Sequence, residues 1–143
     1  MAALVDSNVL IDIAFRDPVW LDWSRKTLAR ASAEGGLVIN QIIFSEMSMR
    51  YESHDEVDKL LPPEDFRREE LPWMAAFGAS KAFIAYRRAG GTKSRPLPDF
   101  YIGAHAAVCG HSLITRDPSG YRTYFPDVEL ITPETHPLTG PTR

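Results

Sequence analysis

The chain has 143 residues, of which 44% are hydrophobic, and its formal net charge is −3. This length suits one compact domain that buries about two-thirds of the surface of its unfolded chain, so a second domain is not expected. The negative charge argues against a protein that coats nucleic acid by bulk electrostatics. The N-terminus lacks the pattern of a secretory signal, and no apolar run approaches the roughly 18 to 20 residues of a membrane helix. We therefore expect a cytoplasmic protein without membrane contact.

The first 52 residues predict strands and helices in alternation, because apolar runs of strand length are separated by amphipathic stretches with helix caps and stops. Pro18 suits the first turn of the second helix, and Gly35-Gly36 is a strong stop at its end. The strands are expected at residues 2–5 and 37–39, and the helices at about 7–15, 18–34 and 41–52.

The rest of the chain predicts a similar alternation. Residues 54–71 are rich in charge and broken by two prolines, which indicates a short helix and a turn. The helix expected at 72–89 has too many apolar positions for one narrow stripe, so part of its surface is predicted to contact a partner. Further elements are a helix from Pro98 to Gly110 and strands at 113–115 and 128–131.

These elements predict an α/β fold with a parallel sheet of four to five strands and helices on both faces. The domain is expected to span residues 1–132. Residues 133–143 are rich in proline and glycine, and we interpret them as a C-terminal tail that frays.

Four acids occupy positions that point to a shared site. Asp6 and Asp117 follow strands, and the carboxyl ends of parallel strands are where ligands bind in open α/β sheets. Asp99 opens a helix with small residues on its face, and Glu46 shares a helix side with Ile42. Converging carboxylates repel one another unless a cation compensates them, and Mg²⁺ or Mn²⁺ prefers oxygen ligands. Such a site can hydrolyse a phosphodiester.

Each acid also has a structural explanation. Asp6 and Asp99 suit helix caps, Asp117 before Pro118 suits a turn, and Glu46 suits an exposed helix face. The joint occurrence favours a site, because independent caps have no reason to recur at the same end of successive strands.

The remaining chemistry is less informative. Lys93, Arg95 and Arg116 lie close to the acids in sequence and are candidate phosphate contacts, although a solvated basic loop explains them equally well. The histidines show no zinc-ligand spacing, which argues against a zinc site. The single cysteine, Cys109, has apolar neighbours that predict a buried thiol without chemical function.

Several segments together resemble the PIN domain, and in particular the VapC toxins of toxin and antitoxin pairs. They are Leu4 to Ile11, Glu46, Leu97 to Ala106, Leu113 to Asp117 and Tyr124 to Pro126. The resemblance implies a Mg²⁺- or Mn²⁺-dependent endoribonuclease in which Asp6, Glu46, Asp99 and Asp117 hold the metal and orient the water. It also implies that Asn8 and Thr115 give polar support, that the protein is a homodimer, and that a cognate VapB-like antitoxin silences it.

Two other functions stay open at this point. One is a PIN-like domain that binds RNA or a protein without turnover, although such a degenerate site usually loses one acid. The other is a phosphoryl-accepting receiver domain, in which Thr115 supplies the hydroxyl. A receiver, however, normally begins with adjacent acids and carries a lysine after its last strand, and this chain has neither.

Overall fold

The structure, a computed structural model, describes residues 1–90 and 96–138. These residues form five strands and seven helices. The elements are, in order, β1 (Ala3–Val5), α1 (Ser7–Ala14), α2 (Leu21–Glu34), β2 (Leu37–Ile39), α3 (Gln41–Ser48), α4 (His54–Leu60), β3 (Phe66–Arg68), α5 (Trp73–Arg88), α6 (Leu97–Cys109), β4 (Ser112–Ile114), α7 (Ser119–Tyr124) and β5 (Leu130–Ile131).

The five strands form one sheet in the order β3-β2-β1-β4-β5, and every neighbouring pair is parallel. This confirms the predicted α/β fold and parallel sheet. β1, β2 and β4 are buried throughout, as expected of apolar strands covered by helices. The chain runs from β1 to β2 on one side and reaches β4 on the other, so the sheet reverses its strand order at β1. Asp6, directly after β1, therefore lies at the position where open α/β sheets bind ligands.

Three elements differ from the sequence prediction. The edge strand β3 lies in the charge-rich segment interpreted as helix and turn, and the arginines Arg67 and Arg68 in it are exposed. α7 occupies a stretch for which no helix was predicted. α3 ends at Ser48, earlier than predicted, and a capping box formed by Ser53 and Glu56 begins α4.

α6 carries the predicted acid Asp99 in its first turn and packs closely on its neighbours. Phe100 makes an edge-to-face contact with Phe83 of α5, at 5.4 Å between ring centroids. Gly103 admits the ring of Phe125: a Cβ at this position would lie 2.4 Å from Cδ2 of Phe125. The absent side chain thus lets Phe125 close against the helix. At the other end of α6, Cys109 is exposed, so the predicted burial of its thiol is wrong; Cys109 is the last residue of the helix, where the chain turns at Gly110.

The chain beyond β5 is bonded to the domain in its described part. Trp23 Nε1 donates to the carbonyl of His136 at 2.8 Å, and the amide of His136 donates to the carbonyl of Thr132. Residues 139–143 of the predicted tail lie outside the described residues. No helix in the described ranges is long and apolar enough to cross a membrane.

Candidate active site

Asp6 occupies the N-cap position of α1, yet its side chain makes no capping hydrogen bond. Its carboxylate instead bonds side chains that follow β4 in the chain. Oδ2 accepts from Thr115 Oγ1 at 2.9 Å and from the Tyr121 hydroxyl at 3.1 Å, and Asn8 Nδ2 lies 3.4 Å away. Only 5% of Asp6 is exposed. The capping explanation is therefore insufficient, because this carboxylate is held by long-range partners rather than by its own helix.

Burial and nearby negative charge raise the pKa of Asp6 to about 7. Burial has the largest effect, and the charges of Asp99 and Glu46 add to it, against the hydrogen bonds from Thr115 and Tyr121, which lower the pKa. The charges of Asp99 and Glu46 thus act on Asp6, although these residues lie far apart in sequence.

Glu46 joins the same group from α3. Burial raises its pKa and the charge of Asp99 raises it further, while a hydrogen bond from Ser7 Oγ at 2.8 Å and the charge of Arg50 lower it. Three of the four predicted acids, Asp6, Glu46 and Asp99, thus interact electrostatically, and we call them the acid cluster.

Asp117 is exposed and lies three residues after the end of β4. Its backbone N–H donates to Thr115 Oγ1 at 3.0 Å, and Ser119 Oγ lies 3.5 Å from its Oδ1. Thr115, predicted as polar support, thus connects Asp117 to Asp6 through its hydroxyl.

Asn8, the other residue predicted as polar support, contacts two residues at the end of β4. Its amide nitrogen is 3.4 Å from Thr115 Oγ1, and its Oδ1 accepts from the Arg116 backbone N–H at 3.2 Å. These bonds connect the start of α1 to the end of β4.

Arg116 directs its guanidinium into the protein. Nη2 donates to Asp12 Oδ1 at 2.8 Å, Nε donates to the other oxygen of the same carboxylate, and the guanidinium lies 5.2 Å from the centre of the Trp20 ring. Asp12 is buried and also accepts from Ser24. This ion pair ties the end of β4 to α1 and α2. The other two predicted phosphate contacts, Lys93 and Arg95, lie outside the described residues.

Three residues of the site were missed from the sequence: Ser7, which bonds Glu46; Tyr121, which bonds Asp6; and Asp12, which pairs with Arg116. Tyr121 belongs to the unpredicted helix α7, so its placement had no sequence signal. Asp12 had a sequence signal, since it is the single acid within the apolar stretch from Val9 to Ala14.

The donor set of the acid cluster fits a hard divalent cation. Its ligands are all carboxylate oxygens, which Mg²⁺ and Mn²⁺ favour. Burial raises the pKa values of Asp6 and Glu46 most and the charge of Asp99 raises them further, and a cation beside these carboxylates would offset both effects.

The sequence pattern of the PIN domain matches residues 3–126. The chain belongs to the PIN domain family. No curated protein matches the sequence at a significant level.

Solved structures resemble this PIN domain over most of its length. VapBC2 from Rickettsia felis, in complex with a DNA fragment from the VapBC2 promoter, is 14% identical to this chain with a TM-score of 0.72. FitAcB from Neisseria gonorrhoeae is 18% identical with a TM-score of 0.69. A toxin-antitoxin complex from Klebsiella pneumoniae is 23% identical with a TM-score of 0.60. In each case the match covers 92% of this chain and 98% of the other. At these identities the likeness concerns the fold.

Proposed function

We propose that this PIN domain is a Mg²⁺- or Mn²⁺-dependent endoribonuclease and the toxin of a toxin-antitoxin pair in the cytoplasm. The observation that carries the proposal is the acid cluster, in which buried Asp6 has a pKa of about 7 beside Asp99 and Glu46. The solved structures with this fold include toxin-antitoxin complexes, which supports the toxin assignment.

In this proposal Asp6, Glu46 and Asp99 hold the cation, and Asp117 completes the set from its exposed position. A divalent ion in such a site polarises the phosphodiester and lowers the pKa of bound water. The protein's own donors orient the ligands. Within the described residues, the hydrogen bonds to Asp6 are all made to Oδ2, which leaves Oδ1 available to a cation. Ser7 holds one oxygen of Glu46 in the same way.

Phosphate contacts by Lys93, Arg95 and Arg116 belong to the proposal as well. Lys93 and Arg95 lie six and four residues before Asp99 in the sequence. Arg116 contacts a phosphate only if its guanidinium leaves Asp12 or shares a donor with the ligand, because both Nε and Nη2 are bonded to that carboxylate.

The alternative is a PIN domain that binds RNA or a protein without turnover. A module that had lost catalysis would have no reason to keep mutually repelling, partly buried carboxylates, since their repulsion lowers the stability of the fold. The acid cluster therefore favours the enzyme.

Cleavage of a structured RNA pool tests the proposal. Tag-free wild type is compared in Mg²⁺ or Mn²⁺ and in EDTA with Asp6→Asn, and with Asp22→Asn as a matched control, because Asp22 is an exposed acid on α2. We expect cation-dependent cleavage by wild type and Asp22→Asn only. Equal cleavage by Asp6→Asn would point to a contaminating nuclease, and intact RNA in every reaction would favour the binding module.

The partners are proposed to be a VapB-like antitoxin and a second copy of this chain. The first turns of α5 present large apolar side chains to solvent: Trp73 is 92% exposed, Met74 69% and Phe77 62%. Apolar patches of this kind commonly mark protein contacts. We place the contact between two copies here, and Trp73→Glu should shift sedimentation of the purified chain from dimer to monomer. A monomeric wild type would indicate that this patch contacts the antitoxin and not a second copy of the chain.

A further inference from the structure

A second group of metal-ligating side chains lies outside the acid cluster. Glu69 follows β3, His105 and Cys109 lie on α6, and His111 precedes β4. One ligand atom from each of these residues lies within 4.8 Å of each of the others. We call this group the mixed cluster, because it contains a carboxylate, two imidazoles and a thiol.

The ligand atoms converge on Glu69. Its Oε1 lies 2.8 Å from His105 Nε2 and 2.7 Å from His111 Nε2. Glu69 also contributes to the raised pKa of the Cys109 thiol, after burial, through its charge and a hydrogen bond. All four side chains thus meet at one point, although the chain positions of Glu69 and His111 are 42 residues apart.

We propose that the mixed cluster is a zinc-binding site. Zn²⁺ binds thiolate, imidazole and carboxylate ligands, and four protein ligands complete the tetrahedral coordination of a closed site. In a tetrahedral zinc site the ligand atoms are about 3.3–3.8 Å apart. The contacts of Glu69 with His105 and His111, at 2.8 and 2.7 Å, would therefore lengthen slightly, and the remaining pairs already lie within 4.8 Å. The exposed side chain of Cys109 gives the ion an entry path.

The charges also balance. On binding, the Cys109 thiol releases its proton to solvent, so one thiolate and the Glu69 carboxylate neutralise the two positive charges of Zn²⁺ while the imidazoles stay neutral. The acid cluster offers only oxygen ligands and lacks this selectivity for zinc. The two sites therefore select different ions.

The metal-free geometry shows how the site is held before the ion binds. Asn40 Oδ1 accepts from the Ile43 N–H at 3.0 Å and caps α3, so its amide group donates to His105 Nδ1 at 2.9 Å. The proton of His105 then lies on Nε2, which donates to Glu69. Zinc binding at Nε2 requires this proton to move to Nδ1. There it would face the amide nitrogen of Asn40, which is also a hydrogen-bond donor.

This conflict makes Asn40 a positioning residue with a distinctive test. Asp at position 40 keeps an acceptor for the Ile43 N–H, since Asp caps helices as well as Asn does. It also offers an acceptor to the Nδ1 proton of zinc-bound His105, which forms the carboxylate–histidine–zinc arrangement. We expect Asn40→Asp to bind zinc about 10-fold more tightly, within the range over which such outer partners act.

Equilibrium dialysis of the tag-free chain against Zn²⁺ in excess Mg²⁺ tests the proposal, with Co²⁺ as a spectroscopic probe. We expect one zinc per wild-type chain, and a thiolate-to-cobalt charge-transfer band that Cys109→Ser abolishes. His111→Gln should bind zinc at least about 10-fold more weakly. His54→Gln is the matched control, because His54 belongs to an exposed group with Asp55 and Asp58 that also has ligand spacing. Asp6→Asn should keep the zinc, which separates this site from the proposed nuclease.

Three results overturn the proposal: less than stoichiometric zinc in the folded wild type, zinc affinity that falls in His54→Gln but not in His111→Gln, or an unchanged cobalt spectrum in Cys109→Ser. Folding of each variant is checked by circular dichroism. Cys109→Ser exchanges one sulfur atom for oxygen, and Asn40→Asp should gain rather than lose affinity, so a folding defect cannot produce the expected pattern.

Discussion

The acid cluster and the mixed cluster both contain an acid that follows a strand of the same sheet, yet the pKa values of these acids shift in opposite directions. Asp6 has a pKa raised to about 7, because burial and the charges of Asp99 and Glu46 outweigh its hydrogen bonds. Burial also acts to raise the pKa of Glu69, but hydrogen bonds and positive charge from His111 and His105 outweigh it and hold the value at about 2.

The difference shows that the position of an acid at a strand end does not determine its role; its neighbours do. The acid cluster has unbalanced negative charge and lowers the stability of the metal-free fold, whereas the bonds of Glu69 contribute stability. α6 connects the two clusters, since it carries Asp99 at its start and His105 and Cys109 further along. Substitutions that alter one cluster and spare the other test this contrast.

The largest effect is expected from Asp99→Asn on activity. Removing this carboxylate should lower RNA cleavage by about 100-fold or more, the scale on which losing one electrostatic contact to a transition state acts. Thermal stability should hold or rise, because the repulsion on Asp6 and Glu46 is relieved. Cleavage rates and melting curves are measured with Asp22→Asn alongside. Full activity in Asp99→Asn would exclude Asp99 from the site.

The largest effect on stability is expected from the titration of Asp6. The unfolded chain loses this proton near pH 3.8 and the folded chain near 7, so the folded state binds more protons between these values. The stability of the metal-free protein should therefore fall as pH rises through this window and level off above it, by about 4 kcal/mol at most. Urea unfolding in EDTA at several pH values measures it. Asp6→Asn should lack this component, and identical pH profiles for the two proteins would refute the raised pKa.

Glu69→Gln is expected to act on the mixed cluster in the opposite sense. The amide keeps one acceptor oxygen but loses the charge, which should lower the free energy of unfolding by about 1.5–3 kcal/mol in chelator at neutral pH. Because the folded pKa is depressed, the wild-type advantage is present above pH 4.5 and is lost as pH falls through about 2. Glu70→Gln, an exposed neighbour, is the control for urea unfolding, and equal losses in both variants would contradict the expectation.

The smallest expected effect comes from the helix that joins the clusters. Gly103→Ala places a methyl group against the Phe125 ring and should cost about 1–3 kcal/mol through overpacking. Gly78→Ala on α5 is the matched control, since its Cβ would lie 3.7 Å from Ala104 Cβ, an ordinary contact. Unfolding of both variants by urea measures the difference. A stability of Gly103→Ala equal to that of Gly78→Ala would mean that Phe125 moves aside freely.

Much of the fold was predictable, because the apolar strands and helix stops act within a few residues. The parallel sheet, the strands β1 and β2 and the helix carrying Asp99 follow from these local patterns. The edge strand β3 was not predictable, since the exposed residues Arg67 and Arg68 lack the apolar pattern of a buried strand. Of the site, the three members of the acid cluster were predicted, while Tyr121 was not, because its helix α7 had no sequence signal.

The sequence by itself determined where the acids stand relative to the strands and helices, because this depends on the order of elements along the chain. Asp6 and Asp117 follow strands, and Asp99 lies at the start of a helix. Only the tertiary structure decided which groups face each acid. Asp6 bonds Thr115, 109 residues away, instead of capping its own helix. The mixed cluster joins Glu69 to His105, 36 residues away, without any ligand spacing in the sequence. Contacts of this kind depend on strand order and helix packing, and local periodicity carries no information about either.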